Sequence, residues 1–474
     1  MPLNFRETYT VILQPLERAM ILANAILATL GNAPRLITSA ALRVVGDRIT
    51  EIGTAQELLN KYPAETVTDL KGQLVLPGAI CSHTHFYGAF ARGMALPGPA
   101  PANFPEILRR IWWTLDKALS LEDIRWSAFT FLADAVRHGV TTIMDHHASP
   151  NAIEGSLETI AEAAMSAGVR VCLAYEVSDR DGPEIAKRGI SENQRFIRAL
   201  KDEPAAHRGY LAGSFGLHAS FTLTPETLTQ AVEANAELGT GFHIHVAEDR
   251  IDEEDARSKY SMSTVERLES AGILGDKTIA AHCVHALSDE VDILARTGTL
   301  VVHNPRSNMN NAVGTLKAEE LLSRGVALGL GNDGFSMNMF QEMKVAYLVH
   351  KAARGDPRAM PASSVLHMAY NNNARIARQV FSPFFRSGSF VVGELSPGSL
   401  ADLVVLDYRP PTPLTVENLP WHVIFGVDGT HVASTMVGGR WIMWNRELVT
   451  LDEEKIAHHA ERQAAHLWRR MLSR

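Results

Sequence analysis

The stretch Pro77-Gly78-Ala79-Ile80-Cys81-Ser82-His83-Thr84-His85 decides how the rest of the chain is read. Leu74 to Ile80 reads as an apolar strand running into two histidines separated by one residue. Side chains alternate across a strand, so His83 and His85 share a face. Two imidazoles aimed at one point suit a divalent metal. A chain with 19 histidines also produces such a pair by chance. Alone, the pair describes a polar strand end equally well. What decides between the readings is whether further ligands recur at later strand ends.

Working outward, 474 residues are enough for one large domain and a smaller one. A hydrophobic content of 46% is that of an ordinary globular protein. The net charge of −8 argues against a polyanionic partner, nucleic acid or an anionic membrane surface, and favours a small substrate. Cys81, Cys172 and Cys283 are scattered within apolar runs, which suits buried reduced thiols in a cytoplasmic protein. No apolar run is long enough for a membrane span, and the N-terminus has neither signal nor transit character. Residues 1–18 read as an extension without an assignable role.

From Met20 to Leu76 the sequence has short strands and turns: Met20–Leu27, Ala40–Val45, the turn pair Gly46-Asp47, then Arg48–Gly53 returning. The same style recurs near the other end, in Gly398–Asp407, His431–Val437, the turn Gly438-Gly439 and Arg440–Trp444. We expect the two segments, 19–72 and 391–450, to join in one small β-sandwich domain. Between them, over 73–390, eight apolar runs alternate with helical patterns. After Leu74–Ile80 come Val140–Met144, Val169–Ala174, Leu211–Leu217, Gly241–Val246, Thr278–Ala281, Thr299–Val302 and Val326–Leu330. Helical patterns such as Leu121–Arg137, Pro225–Leu238, Ser263–Ala271 and Ser288–Arg296 separate several of them. Eight buried strands, each followed by helical sequence, predict an α/β fold, a (β/α)8 TIM barrel. Residues 451–474 read as a C-terminal helix.

Barrel chemistry sits at the C-terminal ends of the strands, and here those ends are polar. They carry His83 and His85, Asp145-His146-His147, His218, His243-Ile244-His245 with Glu248, His282, His303-Asn304 and Asn332-Asp333. His and Asp are costly to bury unpaired, so a purely structural barrel has no need of them there. His147 and His303 suit hydrogen-bonded strand caps. His243 and His245 share a strand face, and spacing alone leaves either as a ligand.

On these segments, together with Val302-His303-Asn304-Pro305-Arg306-Ser307-Asn308-Met309-Asn310-Asn311 and Gly331-Asn332-Asp333-Gly334, the chain resembles the amidohydrolase superfamily. The likeness is to the branch of cytosine, guanine and S-adenosylhomocysteine deaminases and triazine hydrolases, and within it to the SsnA-type aminohydrolases. It covers essentially Met20 to Arg474. Position by position, the resemblance implies that His83, His85, His245 and Asp333 bind one divalent metal, with Glu248 and His282 flanking the attacking water and the substrate. It selects His245 over His243 because His245 stands three residues before Glu248. Binuclear relatives carry a lysine at the end of the fourth strand. His218 stands there instead, which implies a mononuclear site. Three imidazoles and one carboxylate fit zinc foremost, or iron or manganese.

The implied activity is hydrolytic deamination of an amino-substituted N-heterocycle, purine-, pterin- or pyrimidine-like. Asp333 and His282 would handle the water, and Glu248 would serve as general acid. His218, His146, Arg306 and Trp113 are the expected substrate contacts, under a Pro- and Gly-rich rim loop at Gly93–Pro105. Family habit adds a homodimer. The alternatives are removal of chloride, alkylamine or a urea-type group on the same scaffold, and a metal-binding homologue without turnover. Asn332 departs from the threonine more usual before the aspartate.

Overall fold

The computed structural model describes residues 19–95 and 97–472; the extension 1–18 lies outside the described residues. Five strands come first: β1 (Met20–Ala28), β2 (Leu36–Val45), β3 (Arg48–Thr54), β4 (Thr66–Asp69) and β5 (Leu74–Pro77). Gly46, in the left-handed region at φ 62°, makes the β2–β3 turn. Then follow β6 (Ala79–Thr84), β7 (Val140–His147), β8 (Arg170–Tyr175), β9 (Leu211–Gly213), β10 (Phe215–Ala219), β11 (Phe242–Val246), β12 (Ile279–His282), β13 (Leu300–His303) and β14 (Leu328–Leu330). The chain ends with β15 (Leu403–Leu406), β16 (Val432–Val437), β17 (Arg440–Trp444), β18 (Glu447–Leu448) and a helix over Glu453–Leu472.

Strands β6 to β14 run parallel in two arcs, β6-β7-β8-β9 and β10-β11-β12-β13-β14. Strands β9 and β10 are one staved strand interrupted at Ser214, so the arcs make the eight staves of a (β/α)8 barrel. Closure is carried by backbone bonds across both seams. Ser214 N donates to Leu173 O at 3.0 Å and His218 N to Val177 O at 2.9 Å, while Asn332 N donates to His83 O at 3.0 Å. Gly331 is required at the second seam, since a Cβ there would stand 2.7 Å from His83 O. Asn373 bridges the same seam, its amide donating to Ile80 O at 2.7 Å and Leu330 O at 3.0 Å. The staves are buried on both faces and read as continuous apolar runs for that reason.

Strands from both termini form one nine-stranded sheet, β18-β17-β16-β15-β5-β1-β2-β3 with β4 on β1. The join is antiparallel, Leu403 opposite Pro77 through Leu406 opposite Leu74. One correction to the sequence reading follows. Leu74–Ile80 is not a single strand: Leu74–Pro77 belongs to the terminal sheet and Ala79–Thr84 to the barrel. Gly78 is the pivot, donating to Asp402 O at 3.0 Å, and a Cβ there would strike the Thr141 side chain at 2.3 Å. A period-2 pattern cannot register this, because both halves are buried and apolar.

A buried ion pair ties the sheet to the barrel. Arg170, at the start of β8, is 1% exposed and meets Asp402 in two-pronged fashion, at 2.7 and 3.1 Å. Its third nitrogen donates to Gly209 O at 3.1 Å, and Gly438 N donates to Asp402 at 2.7 Å. A charge so buried is tolerable only when fully partnered. The C-terminal helix packs on the helix Leu121–Arg137, with Gln463 donating to Asp123 at 2.8 Å and Trp468 to Phe90 O at 2.7 Å.

Candidate metal centre and active-site cavity

The strand ends converge as barrel geometry requires. His83 and His85 leave β6, His245 is the penultimate residue of β11, His282 ends β12, and Asp333 follows β14. Three of these ends bend through left-handed backbone at non-glycine residues: Ala247 at φ 44°, His282 at 75° and Asp333 at 51°. Such residues cost of order 1–3 kcal/mol each and persist where the surroundings over-determine them, often at functional sites. Asn332 secures the last bend, its amide donating to Phe335 O at 3.0 Å and Ser336 O at 3.1 Å.

The imidazole tautomers can be deduced. A carbonyl oxygen only accepts, so His85 Nδ1–H donates to His146 O at 2.5 Å and His245 Nδ1–H to His218 O at 2.9 Å. Both Nε2 atoms are then bare in the neutral imidazoles, and they lie 3.2 Å apart. His83 Nδ1 meets His243 Nε2 at 2.8 Å, while its own Nε2 is buried without a hydrogen bond, 3.3 Å from Asp333 Oδ1. Asp333 Oδ1 also stands 3.0 Å from His85 Nε2. His83 and His85 thus both meet Asp333 Oδ1, and His85 meets His245. His83, His245, His282 and Asp333 offer ligand atoms all within 4.8 Å of one another. Three Nε2 atoms and one carboxylate oxygen, with an orphaned nitrogen among them, match the donor set of a divalent ion such as zinc. His243 stands behind His83, its Nε2 against His83 Nδ1.

Electrostatics separate the acids. Burial pulls the His83 imidazole down to about 4 and the His245 imidazole well below its usual range, which keeps them neutral. Burial acts on His85 too, but the Asp333 hydrogen bond and charge outweigh it and carry it to about 9. Asp333 is held well below the carboxylate range: burial opposes ionisation, and the His83 and His85 contacts overcome it. Its second oxygen accepts from Ser307 Oγ. Glu248 is 7% exposed and its carboxyl is raised well above the usual range by burial, then by the charges of Asp333 and Asp252. His282 Nε2 lies 3.5 Å from Glu248 Oε2 and 3.8 Å from Asp333 Oδ2, with Asn308 at its Nδ1 at 2.8 Å.

A cavity opens onto this point, walled by Trp113, Asp116, Glu176, Arg180, His218 and Glu248 among others. Trp112 and Trp113 both face it, although they are neighbours in sequence. They span the junction of a π-helical turn, Leu108–Trp112, with the helix Trp113–Ala118, and such turns frequently mark functional sites. The expected contacts His218 and Trp113 line the cavity; two others do not. Arg306 turns away into an ion pair with the buried Glu342 and donates to Ser336 O at 2.8 Å. It is the second residue of the helix Pro305–Asn310. His146 is fully buried behind the wall, its ring stacked on His243 at 4.6 Å. His147 and His303 are tied to Ser149 Oγ at 3.0 Å and His350 at 3.1 Å. Sequence reading missed Asp116, Glu176 and Arg180. For Glu176 one signal existed, a carboxylate just past the third apolar run.

The sequence model of the amidohydrolase family matches residues 74–442. The 5'-deoxyadenosine deaminase of Methanosarcina mazei is 30% identical over 458 residues, covering 96% of this chain and 99% of its own. The 5-methylthioadenosine/S-adenosylhomocysteine deaminase of Moorella thermoacetica is 32% identical over 428 residues, covering 89% and 94%. Among solved structures, an adenosine deaminase from Xanthomonas campestris with bound zinc aligns with a TM-score of 0.81 at 20% identity, covering 96% of this chain and 99% of that one. A triazine hydrolase from Arthrobacter aurescens aligns at 0.79 and 20%, covering 94% and 100%. At that identity the two structures speak to the fold.

Proposed function

The chain belongs to the amidohydrolase family, and from that premise we propose that it is a zinc-dependent aminohydrolase releasing ammonia from an aminopurine-like heterocycle. One observation carries the reading. The Nε2 atoms of His83, His85 and His245 and the Asp333 carboxylate face one another at the foot of a cavity whose wall holds Glu248, a carboxyl that burial and the charges of Asp333 and Asp252 push well above the usual range. The adenosine-type substrates named for the relatives favour an aminopurine over other heterocycles.

His83, His85, His245 and Asp333 would hold the ion. A divalent cation there supplies a water acidified from a pKa of 15.7 to about 7. The chain's own groups do the rest. Asp333 keeps Oδ1 toward His83 and His85 and Oδ2 toward Ser307 and His282, so Oδ2 is placed to take the proton the water sheds. Glu248 would give its proton to the ring nitrogen beside the carbon under attack; the proton Asp333 takes from the water would leave with the amine as ammonia, and the hydroxyl proton left on that carbon would restore Glu248. His282, neutral because burial pulls it to about 3, orients the water and steadies developing charge. His218 and Trp113 bound the heterocycle, with Trp113 offering an aromatic face.

The remaining parts of the proposal are a cytoplasmic homodimer, checked by sedimentation, and zinc in preference to iron or manganese, checked by elemental analysis. Among the described residues no helix is long and apolar enough to cross a membrane. The functional test is ammonia release from a panel of aminopurines, aminopyrimidines and pterins by the zinc-loaded protein. Silence across the panel, with chloride or alkylamine freed from substituted triazines, would overturn the aminohydrolase assignment.

A further inference from the structure

Glu176 has no part in the chemistry above, yet it is a carboxylate at a barrel strand end, 6% exposed, in the cavity wall. It follows β8 directly, and its backbone N–H donates to His147 O at 2.7 Å, which fixes its position. Among the described residues its carboxylate makes no hydrogen bond. Its near neighbours are His146 Nδ1 at 3.6 Å and His218 Nε2 at 3.7 Å, and with His85, His146 and His245 it offers ligand atoms within 4.8 Å of one another. Arg180, the nearby guanidinium, is instead paired with Asp116. Buried carboxylates are normally partnered, and one left open toward a cavity awaits its partner from outside.

The His218 tautomer sharpens this. Thr222 Oγ1 has a single hydrogen, which it donates to Ala219 O at 3.0 Å. It must therefore accept from His218 Nδ1–H, at 2.6 Å. His218 Nε2 is left as a bare acceptor, 3.7 Å from Glu176 Oε1. Burial raises the Glu176 carboxyl to about 7, so above that pH two acceptors stand side by side with no donor between them. They come from the third and fourth strand ends, whereas Glu248, His282 and Asp333 come from the fifth, sixth and eighth.

We infer that Glu176 and His218 form a paired-acceptor wall that selects heterocycles presenting two adjacent N–H donors, a ring N–H beside an exocyclic amino group. The inference rests on the aminohydrolase reading for the class of ligand and adds to it which edge the ligand must carry. Glu176 is a specificity residue here, and Thr222 positions His218.

The probes are 2-aminobenzimidazole, with two adjacent donors, and benzimidazole, with one. Their equilibrium binding to the zinc-loaded protein is measured at alkaline pH by calorimetry. Hydrogen bonds to charged groups set the expected preference for the amino compound at about 10- to 100-fold. Glu176→Gln, which removes the charge and turns one acceptor into a donor, should shrink it to within about threefold, with zinc content and thermal midpoint unchanged. Thr222→Val, which frees His218 to carry its hydrogen on Nε2, should erode it as well. Equal binding of both probes by the unaltered protein, or a full preference surviving in Glu176→Gln, overturns the inference. Ammonia release is scored on the same preparations. Silence there with an intact donor preference fails the aminohydrolase reading alone, and release without any preference fails this inference alone.

Discussion

Replacing His243 with leucine tests how the metal centre is held. His243 Nε2 lies 2.8 Å from His83 Nδ1, and both side chains are 0% exposed. With His243 as acceptor, the His83 hydrogen stays on Nδ1 and Nε2 is free for the ion. Leucine offers no acceptor. Either a buried N–H is left unpaired, or the ring shifts its hydrogen to Nε2 and blocks the coordinating position. Both routes cost the bound state about 1–3 kcal/mol, which at 1.4 kcal/mol per decade is roughly a 5- to 150-fold loss of zinc affinity. Losses of about 10- to 100-fold are typical when a ligand's orienting partner is removed. Zinc affinity is read by competition with a chromophoric chelator. His243→Gln, which keeps an acceptor near the Nε2 position, should recover most of the loss. A His243→Leu protein within twofold of the unaltered affinity, or a His243→Gln protein as weak as His243→Leu, would refute the argument.

Glu248→Gln should lower kcat/KM by about 10²- to 10⁴-fold, the usual weight of a general acid, while zinc content by elemental analysis stays the same; undiminished turnover removes Glu248 from the chemistry. Metal-free His85 carries a proton up to about pH 9, and zinc must displace it. Binding near neutral pH should then release about one proton per ion, and apparent affinity should rise roughly tenfold per pH unit up to about 9 before levelling. A pH-indicator titration showing no release at pH 7 would move that proton off His85. Asp402→Ala leaves Arg170 buried and unpaired, which should cost about 3–5 kcal/mol in denaturant unfolding; a shift under 1 kcal/mol would mean the sheet and barrel do not depend on this pair.

The amino-acid order by itself determined the alternation of apolar runs and helical stretches, the polar strand ends, and the β character of the two terminal segments. Each is a local periodicity or a composition, and local spacing sufficed to put His83 and His85 on one face. Long-range closure decided the rest. Gly78 switches the chain between two sheets inside an unbroken apolar run, which hydrophobic pattern cannot mark because both sides of the switch are buried. His243 and His245 have the same strand face, and only the hydrogen bonds reaching them from β6 and β10 set the two rings apart, His243 Nε2 meeting His83 and His245 Nδ1 meeting the His218 carbonyl. Arg306 follows a strand end as a cavity residue would, yet Glu342, 36 residues further on, draws it away. Glu176 joins His218 at the cavity wall because β8 and β10 are neighbouring staves joined across a seam. Tautomers and raised or lowered acidities arise from burial and from partners distant in sequence, and these exist only once the barrel has closed.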